Sequence, residues 1–269
     1  MCRLYGFRAS APTRVECSLV HAQNALMVQS RRDAEGKDHL HGWGVATYTD
    51  HTPHVERQAW AAYHGEHFRR AAARIHSRTV LAHVRRATIG VPALNNTHPF
   101  ADGRWTFVHN GTLEGFDRIR RKMLAAMSFH HRTAIAGDTD SEHVFRLILT
   151  LHDEEPHRPI VETLRLGARR VLDWCAEAAP GVGIGLNLIL TDGDTVVGTR
   201  WGRTLHTLTR EGISPCPICG VPHVHDETGR PYRSIEVASE PLTDEPWREV
   251  PERSIYAITP EVEFTIEPL

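Results

Sequence analysis

Hydrophobic and polar residues alternate weakly over residues 2–9, which predicts a strand near the start of the chain. Gly42-Trp43-Gly44 opens a second predicted strand through Tyr48, and residues 53–60 form a third after a His-Thr-Pro turn. Residues 65–77 have helical composition, and Thr79–Val84 and Trp105–His109 are short apolar strands that end in polar motifs. Two long helices are then predicted. One starts at Asp140-Ser141 with Val144, Phe145, Ile148 and Leu149 on one face. The other runs from Ile160 to Ala178, with Ile160, Val161, Leu164, Val171, Leu172 and Cys175 as its stripe. Strands dominate the remainder, at 184–191, 195–200 after an Asp-Gly-Asp turn, 204–209, 233–240, 254–258 and 262–267. Short adjacent strands with tight turns point to antiparallel sheets, and helices between strand blocks point to a layered α+β domain. No repeat or low-complexity linker divides residues 2–269.

Composition narrows this picture. Of 269 residues, 41% are hydrophobic and 24% charged, enough to build a sizeable core. The formal net charge of −2 gives no bulk electrostatic footprint for nucleic acid or an anionic membrane. No apolar run approaches the roughly 18–20 residues of a membrane span, and the N-terminus lacks the layout of a signal peptide. Five cysteines (2, 17, 175, 216 and 219) are an odd number at irregular spacing, unlike a secreted disulfide framework. A reduced, cytoplasmic protein is expected.

The opening Met1-Cys2 carries the sharpest chemistry. Cysteine is small enough as a second residue that removal of Met1 is expected, which would leave a thiol and a free α-amine on Cys2. An α-amine has a reference pKa of roughly 7.7–8.0, so near neutral pH it is a usable base. It can take the thiol proton and later protonate a leaving amine, a nucleophile-plus-base unit that needs no histidine.

Four further segments bear polar groups at strand ends or turns. In His83-Val84-Arg85-Arg86-Ala87-Thr88, Arg85 can hold a carboxylate bidentately with Thr88 assisting, or it can serve a surface salt bridge. Asn96-Thr97-His98-Pro99-Phe100 is a turn that can place His98 against a pocket or use it structurally. A strand ending in Asn110-Gly111 offers an amide donor beside an unobstructed backbone N–H, the two donors of an oxyanion hole. The same dipeptide also suits a type I′ hairpin. Asp138 and Asp140 at a helix start can supply one cap and one ammonium partner.

Cys2, His-x-Arg-x-Ala-Thr-x-Gly at 83–90, Asn-x-His-Pro-Phe at 96–100, His-Asn-Gly-x-Leu at 109–113 and Thr-Asp-Ser-Glu at 139–142 occur in one order. That order and spacing resemble the class II glutamine amidotransferases, which are N-terminal-nucleophile hydrolases. Gly42-Trp43-Gly44 resembles an element of the stand-alone subgroup that includes the γ-glutamyl hydrolase of ergothioneine synthesis, and Val237-Ala238-Ser239-Glu240 also looks like a family strand. The resemblance implies a four-layer αββα sandwich and hydrolysis of glutamine or a γ-glutamyl amide through a thioester, with no cofactor required. It implies Cys2 as nucleophile and its amine as acid/base, with Asn110 and Gly111 as oxyanion hole. It further implies Arg85 and Thr88 on the α-carboxylate, Asp140 on the α-ammonium, and His98 in a supporting position. The sequence departs from the pattern at Arg86, where many members have an aromatic residue, and the chain ends without the synthase domain of larger members. The leaving amine is expected to be read by loops near 28–41 and 60–66. Two rival readings stay open, a glutaminase subunit that feeds ammonia to a separate synthase partner and a non-catalytic glutamyl-binding module.

Cys216-Pro217-Ile218-Cys219-Gly220, with His223 and His225 close behind, forms a hairpin insertion at about 211–232. Such a turn can aim two thiolates at one structural zinc with the histidines completing a tetrahedron, or it can be an ordinary polar tip.

Overall fold

The computed structural model describes residues 2–224 and 231–269. In chain order, β1 (Arg3–Thr13) is followed by a short π-helical segment (Cys17–His21) and α1 (Leu26–Arg31). The hairpin of β2 (Trp43–Thr49) and β3 (Thr52–Gln58) comes next, then α2 (His67–Ala73) and β4 (Ser77–Val84). A second hairpin pairs β5 (Phe100–Asp102) with β6 (Trp105–Asn110). The helices α3 (Phe116–Ala125), α4 (Phe129–Thr133), α5 (Asp140–Glu154) and α6 (Ile160–Ala178) follow. The chain then continues through β7 (Asn187–Thr191), β8 (Val196–Arg200), β9 (His206–Glu211) and β10 (Arg233–Ala238). It closes with β11 (Arg248–Glu249), β12 (Ser254–Ile258) and β13 (Phe264–Pro268).

Among the described residues these strands make two antiparallel sheets. The first has the order β11-β9-β10-β1-β4-β2-β3, and the second β13-β12-β8-β7-β6-β5. Strand periodicity builds the layers. In β1, Leu4 faces the second sheet and joins Leu81, Val108, Ile189, Val237 and Tyr256 in the core between the sheets. Tyr5 and Phe7 point the other way, with Trp43 and Val80, onto Leu19, Leu26 and Phe68. On the far side, Phe107, Leu188 and Leu190 pack against Phe145, Ile148, Leu164 and Val171 of α5 and α6. The Phe107 and Phe145 rings stack at 5.3 Å, worth about 0.5–1.5 kcal/mol beyond their burial. The result is the expected αββα sandwich.

Helix α5 starts where Thr139 accepts the Glu142 N–H at 3.2 Å, with Asp140 and Glu142 in the positive first turn. The cap is therefore Thr139, and neither Asp138 nor Asp140 takes that role. The Glu142 carboxylate instead accepts the N–H groups of Ala136 and Gly137 at 2.9 and 2.7 Å, fixing the loop into the helix. No helix among the described residues is long and apolar enough to cross a membrane.

Candidate active site

Register places the first polar cluster. β1 lies at the centre of its sheet and pairs antiparallel with β4, with Arg3 opposite Val84. Cys2, one step before β1, therefore meets Arg85 and Arg86, the residues just after β4. The Arg86 N–H points to Cys2 Sγ at 3.4 Å, and the thiol faces the Arg86 carbonyl at the same distance. Burial raises the thiol pKa; the Arg86 backbone bond and the Arg85 charge oppose that rise, and the Asp140 charge adds to it. At neutral pH the resting sulfur is a thiol, so attack on a carbonyl needs a base.

A buried ion cluster holds the main chain of Cys2. Arg3 donates to the Cys2 carbonyl at 3.0 Å and to Glu240 at 2.7 Å, and it pairs with Asp33 at 2.8 Å. Asp33 also accepts the N–H groups of Glu35 and Lys37 and faces His39, so it closes the 33–39 loop over this end of β1. None of Arg3, Asp33 or Glu240 stands out in the sequence, because up to 237 residues separate the partners. The sequence places Glu240 only at the end of a strand.

The second sheet contributes Asn110, at the end of β6. Ser239, just after β10, accepts both the Leu4 N–H at 3.0 Å and an Asn110 amide N–H at 3.2 Å. One hydroxyl thus ties the start of β1 to the donor residue on the opposite sheet. Asn110 Oδ1 is buried without a hydrogen-bond partner, and one amide N–H remains beyond the Ser239 bond. Asn110-Gly111 does not form a hairpin turn, because β6 pairs with β7 up to Asn110↔Asn187 and the chain then leaves towards α3. Gly111 is required sterically: a Cβ there would sit 1.9 Å from the Gly185 carbonyl.

Arg85 and Asp140 are both buried and both partly engaged. Arg85 donates to the carbonyls of Ile89, Gly90 and Val91 at 2.9, 3.1 and 3.2 Å, gathering the following loop around its guanidinium. Among the described residues it makes no salt bridge. Gly90 has φ +75°, and a Cβ there would lie 2.5 Å from Asp138 Oδ1. Thr88 is exposed and lies 3.0 Å from the Thr112 hydroxyl. Asp140 accepts the Leu113 N–H and the Ser141 N–H, each at 2.8 Å, so it anchors the loop that carries Gly111. The thiol feels the opposite charges of Arg85 and Asp140, and Arg85 in turn feels Asp138 and Asp140.

His98 is buried with neither ring nitrogen hydrogen-bonded. Its ring lies 4.2 Å from His83 and 4.6 Å from Phe100. Burial, together with His83, His109 and Arg85, holds it neutral, well below the usual imidazole range. His83 donates to the His109 carbonyl, and the His109 ring bridges Ser141 at 2.8 Å and the Gly185 carbonyl at 3.0 Å. The Arg86 side chain turns away to Asp38 at 2.9 Å, which pairs the extra charge the sequence places there. Leu40, Trp60, Tyr63 and His64 line one pocket, which brings together the two loops expected to face a leaving group. His225 lies outside the described residues, as does Met1.

Residues 1–260 match the class II glutamine amidotransferase family. The chain is 31% identical to the probable glutamine amidotransferase DUG3 of Saccharomyces cerevisiae, over 96% of this chain and 82% of that protein. It is 26% identical to the γ-glutamyl-hercynylcysteine sulfoxide hydrolase of Mycobacterium tuberculosis, over 96% of this chain and 93% of that protein. Among solved structures, a class II glutamine aminotransferase domain protein from Silicibacter pomeroyi superposes with a TM-score of 0.64 at 21% identity, covering 100% and 99% of the two chains. The glutamine phosphoribosylpyrophosphate amidotransferase of B. subtilis has the same TM-score at 14% identity, with 99% of this chain matching 49% of that one. The last two likenesses concern the fold.

Proposed function

Because the chain belongs to the class II glutamine amidotransferases, we propose that it hydrolyses glutamine or a γ-glutamyl amide through a thioester on Cys2 and releases glutamate. It is an enzyme of the N-terminal-nucleophile type, and the reaction needs no cofactor. The observation that carries the proposal is the position of the Cys2 thiol. It lies against the Arg86 backbone, where the Arg85 cation and the Asp140 anion both bear on it in opposite senses, a charge pattern that complements the zwitterionic end of a glutamyl group.

With Met1 removed, the Cys2 α-amine takes the thiol proton as sulfur attacks the γ-carbonyl. The oxyanion is held by the Asn110 amide and the Gly111 N–H. The leaving amine departs with the proton from the α-ammonium, and water activated by the same amine then hydrolyses the thioester. Arg85 and Thr88 bind the α-carboxylate, Asp140 the α-ammonium, and His98 takes a supporting position. The pocket of Leu40, Trp60, Tyr63 and His64 takes the leaving group, whose carrier is a small molecule. The near-neutral charge and five free cysteines suit a cytoplasmic enzyme that does not bind nucleic acid. Residues 2–269 act as one unit, with the 211–232 segment as an insertion.

A screen of γ-glutamyl amides for glutamate release tests this reading. Turnover of at least one compound is expected from wild type and none from Cys2→Ala. No turnover across glutamine and a broad set of γ-glutamyl amides would leave the glutamyl-binding module as the better account, and turnover only with a purified synthase would favour the ammonia-delivering subunit.

A further inference from the structure

The Cys216–Gly220 turn lies in the connection between β9 and β10, outside the glutamyl site. The fold brings a residue to it that sequence proximity does not suggest. Cys17, at the head of the π-helical segment, lies with Cys216, Cys219 and His223, and the four candidate ligand atoms are all within 4.8 Å of one another. Around a tetrahedral zinc with Zn–S of about 2.3 Å and Zn–N of about 2.0–2.1 Å, neighbouring ligand atoms are roughly 3.4–3.8 Å apart. The cluster is already close to that size.

The turn is shaped to present its sulfurs. Gly220 N–H bonds the Cys216 carbonyl at 2.9 Å, and Cys216 N–H bonds the Val221 carbonyl at 3.1 Å. Gly220 has φ +76°, a conformation that favours glycine. Ile218 N–H points at Cys216 Sγ at 3.4 Å, the kind of outer hydrogen bond that offsets charge on a metal-bound thiolate. Cys219 Sγ and His223 Nε2 are 3.2 Å apart. From the other side, Arg14 N–H bonds the His223 carbonyl at 3.0 Å, which fastens the tip to the chain just before Cys17.

We propose that Cys17, Cys216, Cys219 and His223 bind one structural zinc ion, which staples the β9–β10 tip to the segment that follows β1. Three thiolates and an imidazole make a closed tetrahedral set of soft and borderline ligands, the donor chemistry zinc favours, with no position left for substrate. A disulfide would use only two of the three sulfurs. Val224 anchors the base of the tip in the core, while Ile213 and Val221 are 47% and 57% exposed, so the turn itself buries little apolar surface. The site is also remote from the chemistry. Cys2 precedes β1 and Cys17 follows it, and an extended strand of 11 residues spans about 35 Å.

Zinc content of untagged wild-type protein should be about one per chain, and Cys17→Ser and Cys216→Ser should lose it while His225→Ala keeps it. Chelator-stripped, reduced wild type titrated with Co2+ should show sulfur-to-cobalt charge-transfer absorption of three-thiolate intensity. That measurement decides the case even if a cysteine variant folds poorly. Glutamyl hydrolysis should persist in folded Cys17→Ser. Wild type that binds neither zinc nor cobalt when reduced would overturn the proposal. So would full zinc in Cys17→Ser with loss in His225→Ala, which would place all the ligands in the tip. Loss of hydrolysis together with zinc in a folded variant would overturn the assignment of the ion as structural and remote.

Discussion

Replacing Asp140 with Asn separates the two functions assigned to that carboxylate. Its oxygens accept the Leu113 and Ser141 N–H groups at 2.8 Å each, in a buried position. Asparagine can accept one of these bonds but turns an NH2 group towards the other donor. Losing one charge-assisted bond costs about 1.5–3 kcal/mol, a loss that a domain stable by roughly 5–15 kcal/mol survives. On the proposed role of Asp140, the substrate ammonium also loses its partner, worth about 2–5 kcal/mol by analogy with buried charge pairs at interfaces. That corresponds to a fall in kcat/KM of about 30- to 5,000-fold. The thiol responds in the opposite sense. Asp140 raises the Cys2 pKa and Arg85 lowers it. In Asp140→Asn the pH midpoint for alkylation of Cys2 by iodoacetamide should therefore move down while hydrolysis falls, and in Arg85→Gln it should move up. Steady-state kinetics and alkylation rates across pH 6–10 read both effects. A folded Asp140→Asn protein whose alkylation midpoint stays put or rises would refute the electrostatic reasoning.

Asn110→Ala should lower kcat by roughly 100- to 1,000-fold with little change in KM, and a wild-type kcat would remove Asn110 from the oxyanion hole. Acid should destabilise the fold through buried histidines. Burial, with Arg85 adding to it, lowers His83 to about 3, and burial lowers His39 to about 4. Below about pH 6.5, where an unfolded histidine protonates, the unfolded chain binds more protons than the native one. Stability then falls as pH drops towards those folded-state values, by up to about 1.4 kcal/mol per pH unit per histidine, and is unaffected by them above that window. Thermal melts from pH 7.5 to 4.5 should show a shallower pH slope for His83→Gln, which keeps a donor for the His109 carbonyl; parallel slopes would count against this origin.

Long periodic elements were legible in the sequence and short or charge-masked ones were not. The stripe from Ile160 to Ala178 coincides with α6, which follows Pro159 and is succeeded by Pro180. Helix α3 was not legible, because its buried residues are Phe116, Ile119 and Met123, set amid arginines and a lysine. β1 runs beyond the expected residue 9 to Thr13; Pro12 falls where the β1–β4 register shifts, so its missing N–H interrupts no regular ladder. In the candidate site, Cys2, Arg85, Asn110 and Asp140 all stand in local motifs whose order along the chain is visible in the sequence. The Arg3–Asp33–Glu240 cluster, the Ser239 link and the approach of Cys17 to the tip were not readable. Each depends on sheet register that joins distant segments, and sequence spacing carries no trace of it.

The central claim is that an N-terminal cysteine forms the thioester. Wild-type protein should be treated with an electrophilic glutamine analogue and analysed by intact mass and peptide mapping. The account predicts a chain lacking Met1 and one glutamyl-type adduct, on the peptide that begins at Cys2, with hydrolysis lost in proportion to labelling. Fully active protein that retains Met1, or inactivation with the adduct on Cys17, Cys175, Cys216 or Cys219, would contradict it.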